Sequence, residues 1–253
     1  EETMKMLELY KDFAEQTLAI PVLTGRKTEK EKFAGAVATF GMEAMMLDGK
    51  SLQAGTSHYL GQNFAKAFDI KYLDKDGTLK YGYTTSWGTS TRLIGAVIMA
   101  HGDKRGLVLP PKVAPIQAVV IPVAAHKGGV IEKCKEVETA LKNAGIRVKT
   151  DLRDMSPGWK FNEWEMKGVP LRLEIGPRDI ENGCCMLFRR DNFEKTELSL
   201  DNLDKIPEIL NQIQVDMLEK SRKNRDAHVV EAKDLDGILK GVDGGNFVKA
   251  PWC

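Results

Sequence analysis

The apolar positions at the start of the chain recur at helical spacing. Met4, Leu7 and Leu18 belong to this pattern, which predicts an amphipathic helix over roughly residues 2–19. Pro21 should end it, because a proline cannot continue the helical hydrogen bonds. A charged loop, TGRKTEKEKFAGA, comes next. Residues 38–46, ATFGMEAMM, then alternate as a strand and lead to an Asp48-Gly49 turn, so an antiparallel hairpin is predicted.

The stretch Ser51–Arg92 holds two polar clusters set among small residues, which allow a ligand to approach the backbone closely. Gln53 and Thr56 lie three residues apart on the returning strand, so regular pleating would place them on opposite faces. A β-bulge at Ala54-Gly55 would bring the two side chains together. The stretch is therefore the first candidate for a ligand site.

A second hairpin is predicted at Lys75–Gly77, and the run SWGTSTRLIGAVIMAHGD predicts a strand that passes into an apolar helix. Three prolines, Pro110, Pro111 and Pro115, then make a stiff connection that we interpret as a domain boundary.

Beyond this boundary the pattern changes to strands that alternate with helices. The continuous apolar run AVVIPVAA is typical of a buried parallel strand. A helix is predicted over about 128–143, and PGWKFNEWEMKG predicts another with Pro157 near its start. This alternation predicts an α/β three-layer module of about 100 residues with a mostly parallel, mixed sheet.

Composition narrows the function only slightly. The 253 residues are 42% hydrophobic and 29% charged, with a net charge of +1, so a nucleic-acid partner would have to use local basic patches. No apolar run is long enough for a membrane helix, and no signal peptide opens the chain. The four cysteines include the adjacent Cys184 and Cys185, a poor disulfide framework, which indicates a reduced, cytosolic protein. The absence of natural start and stop signals suggests a segment of a longer protein.

Nucleophilic catalysis is disfavoured, because Ser57 and His58 are strand neighbours that face opposite ways and no G-x-S-x-G elbow is present. No phosphate-binding P-loop is present either. Arg92, at the start of a helix, is suited equally to holding a phosphate and to a structural ion pair. Phe33 and Trp87 fit either the walls of an apolar pocket or the core, and the core is favoured on residue type alone.

In the second module aromatic and basic residues alternate, as in proteins that bind single-stranded RNA by stacking and edge contacts. An ordinary helix face with solvated strand ends is equally consistent with the pattern. The residues are Trp159, Lys160, Phe161, Trp164, Glu165, Lys167, Arg172, Arg178, Arg189, Arg190 and Lys195.

Four long motifs in this order resemble prolyl-tRNA synthetase of the archaeal/eukaryotic-like branch: TGRKTEKEKFAGA, QAGTSHYLGQNF, SWGTSTRLIGAVIMAHGD with GLVLPP, and PGWKFNEWEMKGVPLRLEIGPRD. The third is similar to class II synthetase motif 3, although Thr89 and Ser90 replace the usual Leu and Thr. The resemblance implies an α+β fold: the C-terminal part of an antiparallel-sheet class II catalytic domain (1–115), an α/β three-layer anticodon-binding domain (116–218) and the start of a zinc-binding-like domain (219–253).

The resemblance also implies a reaction, in which ATP activates proline as prolyl-adenylate and the prolyl group passes to tRNA(Pro). It gives a catalytic role to Arg92, Gln53 and His58. ATP would contact Gln53, Ser90 and Arg92, and the proline and tRNA-end pocket would use Phe33, Thr56, His58 and Trp87. Glu165, Arg172 and Lys195 would recognise the anticodon guanines.

Mg²⁺ is the implied cofactor, and Cys253 matches a first zinc ligand, although spacing alone favours a free or buried thiol. The implied partners are tRNA(Pro), proline and ATP in a cytoplasmic homodimer, without membrane or DNA. Because class II motifs 1 and 2 are missing, we expect the segment alone to be inactive. A tRNA-binding paralogue without amino-acid activation and a sister class IIa enzyme are the alternatives.

Overall fold

The structure, a computed structural model, describes residues 1–251. Residues 1–100 and 221–251 form a first folded unit, and residues 101–220 form a second. Among the described residues, no helix combines the length and the apolar character needed to span a membrane.

An antiparallel sheet organises the first unit. The elements of residues 1–101 are α1 (Glu2–Asp12), a π-helical turn (Phe13–Thr17), β1 (Val22–Arg26), β2 (Ala38–Met45), β3 (Ser51–Gly61), α2 (Asn63–Ala67), β4 (Lys71–Leu73), β5 (Leu79–Tyr81), β6 (Thr84–Gly88) and α3 (Arg92–His101). The four longer strands form the sheet in the order β1-β2-β3-β6, and β4 and β5 pair as a separate hairpin. The predicted helix and both predicted hairpins are therefore confirmed.

Helix α1 covers one face of this sheet. Its Leu7 is buried, and so is Met42 of β2. The buried hydroxyl of Ser57 on β3 donates a hydrogen bond of 2.7 Å to the carbonyl oxygen of Thr3. Ser57 therefore faces α1, and its neighbour His58 faces the opposite side of the strand, which confirms the argument against a Ser-His pair.

The predicted β-bulge is present in β3. Met42 pairs with Gly55 and Glu43 pairs with Gln53, so Ala54 has no partner of its own on β2. The extra residue reverses the alternation of faces at this point, which allows Gln53 and Thr56 to face the same side.

Residues 221–251 add the end of a long helix and a small two-stranded parallel sheet to the first unit. They contribute β12 (Val229–Glu231), α8 (Leu235–Asp243) and β13 (Phe247–Lys249).

A five-stranded mixed sheet organises the second unit. The elements are β7 (Ala118–Pro122), α4 (Val130–Asn143), β8 (Val148–Thr150), α5 (Pro157–Met166), β9 (Leu171–Ile175), α6 (Pro177–Glu181), β10 (Cys184–Arg189), β11 (Lys195–Ser199), a 3₁₀ segment (Leu200–Lys205) and α7 (Ile206–Ala227). The strand order in the sheet is β11-β10-β9-β7-β8. Strand β7 is parallel to β8 and β9, whereas β10 is antiparallel to both of its neighbours. Every residue of β7 and β9 is buried, as the apolar run predicted for β7.

Arg190 joins three parts of the second unit and is 1% exposed. Its guanidinium donates to both carboxylate oxygens of Asp103 at 2.7 and 2.6 Å, and its Nε donates to the carbonyl oxygen of Glu165 at 2.9 Å. The hydrogen bonds from Arg190 lower the pKa of Asp103 even though burial opposes them, so this carboxylate stays charged. Arg190 therefore holds the end of β10 against the end of α5 and the 103–106 turn.

Breaking the ion pair between Arg190 and Asp103 should lower the stability of the second unit measurably. Asp103→Ala leaves the buried guanidinium without its main acceptors. We expect it to lower the free energy of unfolding by about 2 kcal/mol, the range for hydrogen bonds to charged groups. Urea titration followed by the fluorescence of Trp159 and Trp164 measures this change in the second unit.

The matched control is Glu136→Ala, which removes an exposed ion pair with Lys133 on α4 of the same unit. An exposed pair contributes at most about 0.5 kcal/mol here. Equal effects of the two variants would contradict the role given to Arg190.

Candidate functional site

A polar cavity of about 210 Å³ opens on the first unit where β3, β6 and α3 meet. It is lined by the bulge of β3, the end of β6, the connection to α3 and the first residue of α3: Gln53, Ala54, Gly55, Thr56, Gly88, Thr89, Ser90 and Arg92. The structure thus brings together the two halves of the polar stretch that the sequence singled out. A Cβ at Gly55 would lie 2.9 Å from the Met42 Cε atom and 3.1 Å from the Thr89 Cγ2 atom, so a larger residue there would force these side chains to move.

Positive charge borders this cavity. The Arg92 Nη1 atom donates to the backbone oxygen of Gln53 at 3.2 Å, and the Ser90 hydroxyl accepts from the Arg92 backbone N–H at 3.3 Å. Lys27 donates to the side-chain oxygen of Gln53. The described acceptors of Arg92 are neutral, so its charge is available to an anionic ligand, and the ion-pair interpretation of Arg92 finds no support within residues 1–251.

His58 lies between two threonine hydroxyls. Its Nδ1 atom is 2.9 Å from the Thr39 Oγ1 atom, and its Nε2 atom is 3.1 Å from the Thr56 Oγ1 atom. Thr39 is buried and already accepts the Phe33 backbone N–H, so its own proton is directed to Nδ1. This arrangement assigns the imidazole proton to Nε2, from which it is donated to Thr56.

Burial lowers the pKa of His58, and the positive charge of Lys27 lowers it further. The neutral imidazole is therefore favoured, in agreement with its donor and acceptor roles. Thr56 accepts from His58 and can donate its own hydroxyl proton into the cavity.

The two candidate pocket aromatics are separated in the structure. Phe33 is half exposed, its ring lies 4.9 Å from the His58 ring, and it stacks on Phe64. Trp87 pairs directly with Ser57 across β6 and β3, which places it on the α1 side of the sheet, against Tyr10. Both rings are exposed, so the core interpretation is wrong for both, and only Phe33 is brought next to His58.

A second group of sequence candidates meets on the second unit. Glu165 accepts from the Nη1 atoms of Arg172 at 2.7 Å and Arg105 at 2.9 Å. Arg172 also donates through Nε to Glu174 at 3.0 Å, and Glu174 accepts from Lys195 at 2.7 Å. We call these five residues the guanidinium–carboxylate cluster.

The centre of this cluster is buried, and its ends are exposed. The Arg172 guanidinium lies between the rings of Phe161 and Phe188, at 4.2 and 4.1 Å from their centroids. Burial raises the pKa of Glu165, but the hydrogen bonds from Arg172 and Arg105 outweigh the effect of burial. The pKa of Glu165 is therefore lower than its ordinary value. The exposed members are Arg105 and Lys195.

Sequence reasoning missed Arg105 and Glu174. Glu174 could have been found, since it is two residues from Arg172 on the same strand and therefore on the same face. Arg189 and Arg190, which the sequence grouped with RNA-binding residues, are structural, because Arg189 is paired with Asp191 and Asp216 and Arg190 with Asp103.

The described cysteines have no catalytic or metal-binding arrangement. Cys134, Cys184 and Cys185 are free and buried, and burial raises the pKa of Cys134 and Cys185 to about 12. Cys253, the candidate zinc ligand, lies outside the described residues. Within residues 1–251, no three His, Cys, Asp or Glu side chains are placed to hold a metal ion.

Known proteins match this chain both over the second unit and over its whole length. The anticodon binding domain family matches residues 117–208. A proline–tRNA ligase of Lachnospira eligens is 58% identical over 253 residues, covering 99% of this chain and 53% of the relative. One from Symbiobacterium thermophilum is 60% identical over 269 residues, covering 100% of this chain and 54% of the relative.

Over its whole length the chain is similar to prolyl-tRNA synthetases. A solved prolyl-tRNA synthetase from Cryptosporidium parvum, in complex with L-proline and AMP, superposes with a TM-score of 0.95 at 42% identity, covering all of this chain and 56% of that one. The family resemblance and the predicted fold class are therefore confirmed. The chain spans about half the length of the curated relatives that it matches.

The environment of His58 generates a prediction about its titration. Lys27→Gln removes the positive charge that lowers its pKa, so the pKa should rise toward the ordinary 6.5 while burial keeps it below that value. Because the folded pKa is lower than the unfolded one, stability from this group is full above 6.5 and is lost as the pH falls toward the folded pKa.

The measurement is an NMR titration of the His58 ring protons. Lys30→Gln is the control, since it removes the same charge from an exposed position of the same loop. If both variants moved the His58 titration equally, the specific role of Lys27 would be refuted.

Proposed function

We propose that the protein containing this chain is a proline–tRNA ligase that activates proline with ATP and transfers it to tRNA(Pro). Sequence identity of 58–60% to proline–tRNA ligases across the whole chain carries this proposal. The cavity at the β3 bulge supports it, because it combines phosphate-binding charge with a small pocket of neutral hydrogen-bonding groups.

In the first step an oxygen of the proline carboxylate attacks the α-phosphorus of ATP, and the bond to the departing pyrophosphate breaks. Arg92 provides the guanidinium for the phosphates, with Ser90 and Gln53 beside it. Negative charge grows on the phosphate oxygens, so positioned cationic and N–H donors at this edge stabilise the transition state.

In the second step the 2′- or 3′-hydroxyl of the terminal tRNA adenosine attacks the prolyl carbonyl carbon, and AMP leaves. Thr56, with its hydroxyl fixed by neutral His58, lies at the side of the cavity assigned to the prolyl group and the tRNA end. Phe33 supplies an apolar wall for the pyrrolidine ring. Trp87 stays a candidate for this wall, although it faces α1. No side chain has to form a covalent bond, so rate depends on positioning.

Metal ions have no assigned ligands among the described residues. Mg²⁺ would accompany ATP and neutralise its phosphates. The proposal also includes zinc binding at Cys253, assembly as a homodimer and a cytoplasmic location. It keeps the domain bounds 1–115, 116–218 and 219–253.

Arg92 provides the test of the first step. In the full-length protein, Arg92→Ala should lower proline-dependent ATP–pyrophosphate exchange by about a hundredfold, the usual effect of removing one transition-state donor. The control Lys80→Ala removes a positive charge from the exposed β4–β5 hairpin and should leave the rate unchanged. Full-length protein that binds tRNA(Pro) without any exchange would instead indicate a tRNA-binding paralogue.

We propose further that Glu165, Arg172 and Lys195 recognise the guanines of the proline anticodon. Arg and Lys donate to the O6 and N7 atoms of guanine, and a carboxylate accepts from its N1 and N2 hydrogens. The described hydrogen bonds of Arg172 use Nε and Nη1, so Nη2 is the nitrogen that we propose for the base contact. The exposed amino group of Lys195 can contact a base with the least rearrangement.

Lys195 therefore gives the sharpest test of anticodon recognition. Lys195→Met should weaken binding to tRNA(Pro) by about tenfold, within the range for one base contact, and should change binding to a tRNA with an unrelated anticodon much less. Lys135→Met, at an exposed position of α4, is the charge-matched control. Equal losses on both tRNAs would mean that Lys195 contacts phosphate and not a base.

A further inference from the structure

An exposed aromatic ring borders the guanidinium–carboxylate cluster. Phe193 lies in the turn between β10 and β11, and 42% of it is exposed. Its backbone adopts φ 63°, a left-handed conformation that is disfavoured for a bulky side chain. Such a conformation persists only where the surrounding structure holds it, and it is concentrated at functional positions.

The turn itself fixes this conformation. The Phe193 backbone N–H donates to the Arg189 carbonyl oxygen at 3.0 Å, and the Arg189 N–H donates to the Glu194 carbonyl oxygen at 2.9 Å. The Asn192 side chain accepts from the Glu194 N–H at 2.9 Å. The exposed ring is therefore held in place before any ligand arrives.

Two guanidinium groups lie against the ring. The Arg105 Cζ atom is 4.7 Å from the ring centroid, and the Arg190 Cζ atom is 5.3 Å from it. The ring of Phe188 is 6.2 Å away and also contacts Arg172. Arg190 is fixed by Asp103, whereas Arg105 is largely exposed and donates to Glu165. The ring is thus connected to the cluster on its inner side and open on its outer side.

We propose that Phe193, supported by Arg105, stacks on an unpaired base of the bound RNA next to the base recognised by the cluster. This inference rests on the proposed anticodon recognition. Lys195 follows Phe193 by two residues, so their Cα atoms are at most about 7 Å apart. This separation is similar to the spacing of neighbouring nucleotides in an extended RNA strand. Stacking tolerates any base, so Phe193 contributes affinity and register, while the cluster contributes base identity.

Single exposed aromatics are common on protein surfaces. Phe193 differs from an incidental one in three respects: its backbone is held in a disfavoured conformation, its ring is flanked by two arginines, and one of them bonds to a residue of the proposed base-binding cluster. Trp159 offers a comparison in the same unit, because it is 44% exposed and has the Arg153 Cζ atom 5.1 Å from its ring, yet makes no described contact with the cluster.

The first experiment measures binding of the full-length protein to an RNA hairpin that carries the proline anticodon loop. Phe193→Ala should weaken binding by about tenfold, as expected for the loss of one stacked base, and Phe193→Trp should retain it. Trp159→Ala should leave binding within twofold. Equal melting temperatures for the unchanged protein and the variants exclude unfolding as the cause.

The decisive step removes bases from the RNA one at a time by abasic substitution. One loop position should lose about tenfold affinity with the unchanged protein and nothing further with Phe193→Ala, because both changes remove the same contact. The inference is overturned if the two losses multiply at every loop position, or if Phe193→Ala binds as tightly as the unchanged protein.

The same data separate this inference from the function on which it rests. An unchanged protein that does not distinguish the proline anticodon loop from an unrelated loop contradicts anticodon recognition, whatever Phe193 does. Specific binding that is insensitive to Phe193 contradicts only the stacking role. Complete absence of RNA binding overturns both.

Discussion

The buried guanidinium of Arg190 is the interaction on which the second unit depends. A charge with 1% exposure is stable only when acceptors surround it, and Asp103 and the Glu165 carbonyl provide them. These acceptors belong to the 103–106 turn and to the end of α5, which are distant in sequence from β10. Satisfying one charge therefore fixes the backbone of Glu165, and with it the position of the carboxylate to which Arg172 and Arg105 bind.

The first unit uses a backbone irregularity for the same purpose. The unpaired Ala54 turns Gln53 to the side on which Thr56 lies, and the two then line one cavity with Arg92. A regular strand would have divided these groups between the cavity and the face covered by α1. His58, three residues beyond Gly55, is kept neutral by burial and by Lys27, so it orients the Thr56 hydroxyl without adding charge.

The sequence predicted most elements because their signals are local. The Ala54-Gly55 pair indicated the bulge, and the apolar run at Ala118–Pro122 indicated a buried parallel strand. Strand β11 was not predicted. It is a polar edge strand that is held by pairing with β10, and it has no buried apolar face that its sequence could reveal. The burial of Arg190 could not be predicted either, because it depends on Asp103, which lies 87 positions earlier in the chain.

The cluster around Arg172 also bears on how specificity arises. Its buried carboxylates already have cationic partners, so in the proposed recognition a base that bonds to Glu165 must replace an existing hydrogen bond of that carboxylate. A guanine edge offers acceptors for Arg172 and Lys195 and donors for Glu165, so the exchange is close to balanced. A base with the wrong edge would leave a buried charge without a partner, and that penalty is larger than the net gain of any single hydrogen bond. Discrimination then comes mainly from rejecting wrong bases, while affinity has to come from contacts that do not disturb the cluster, such as stacking on its exposed border.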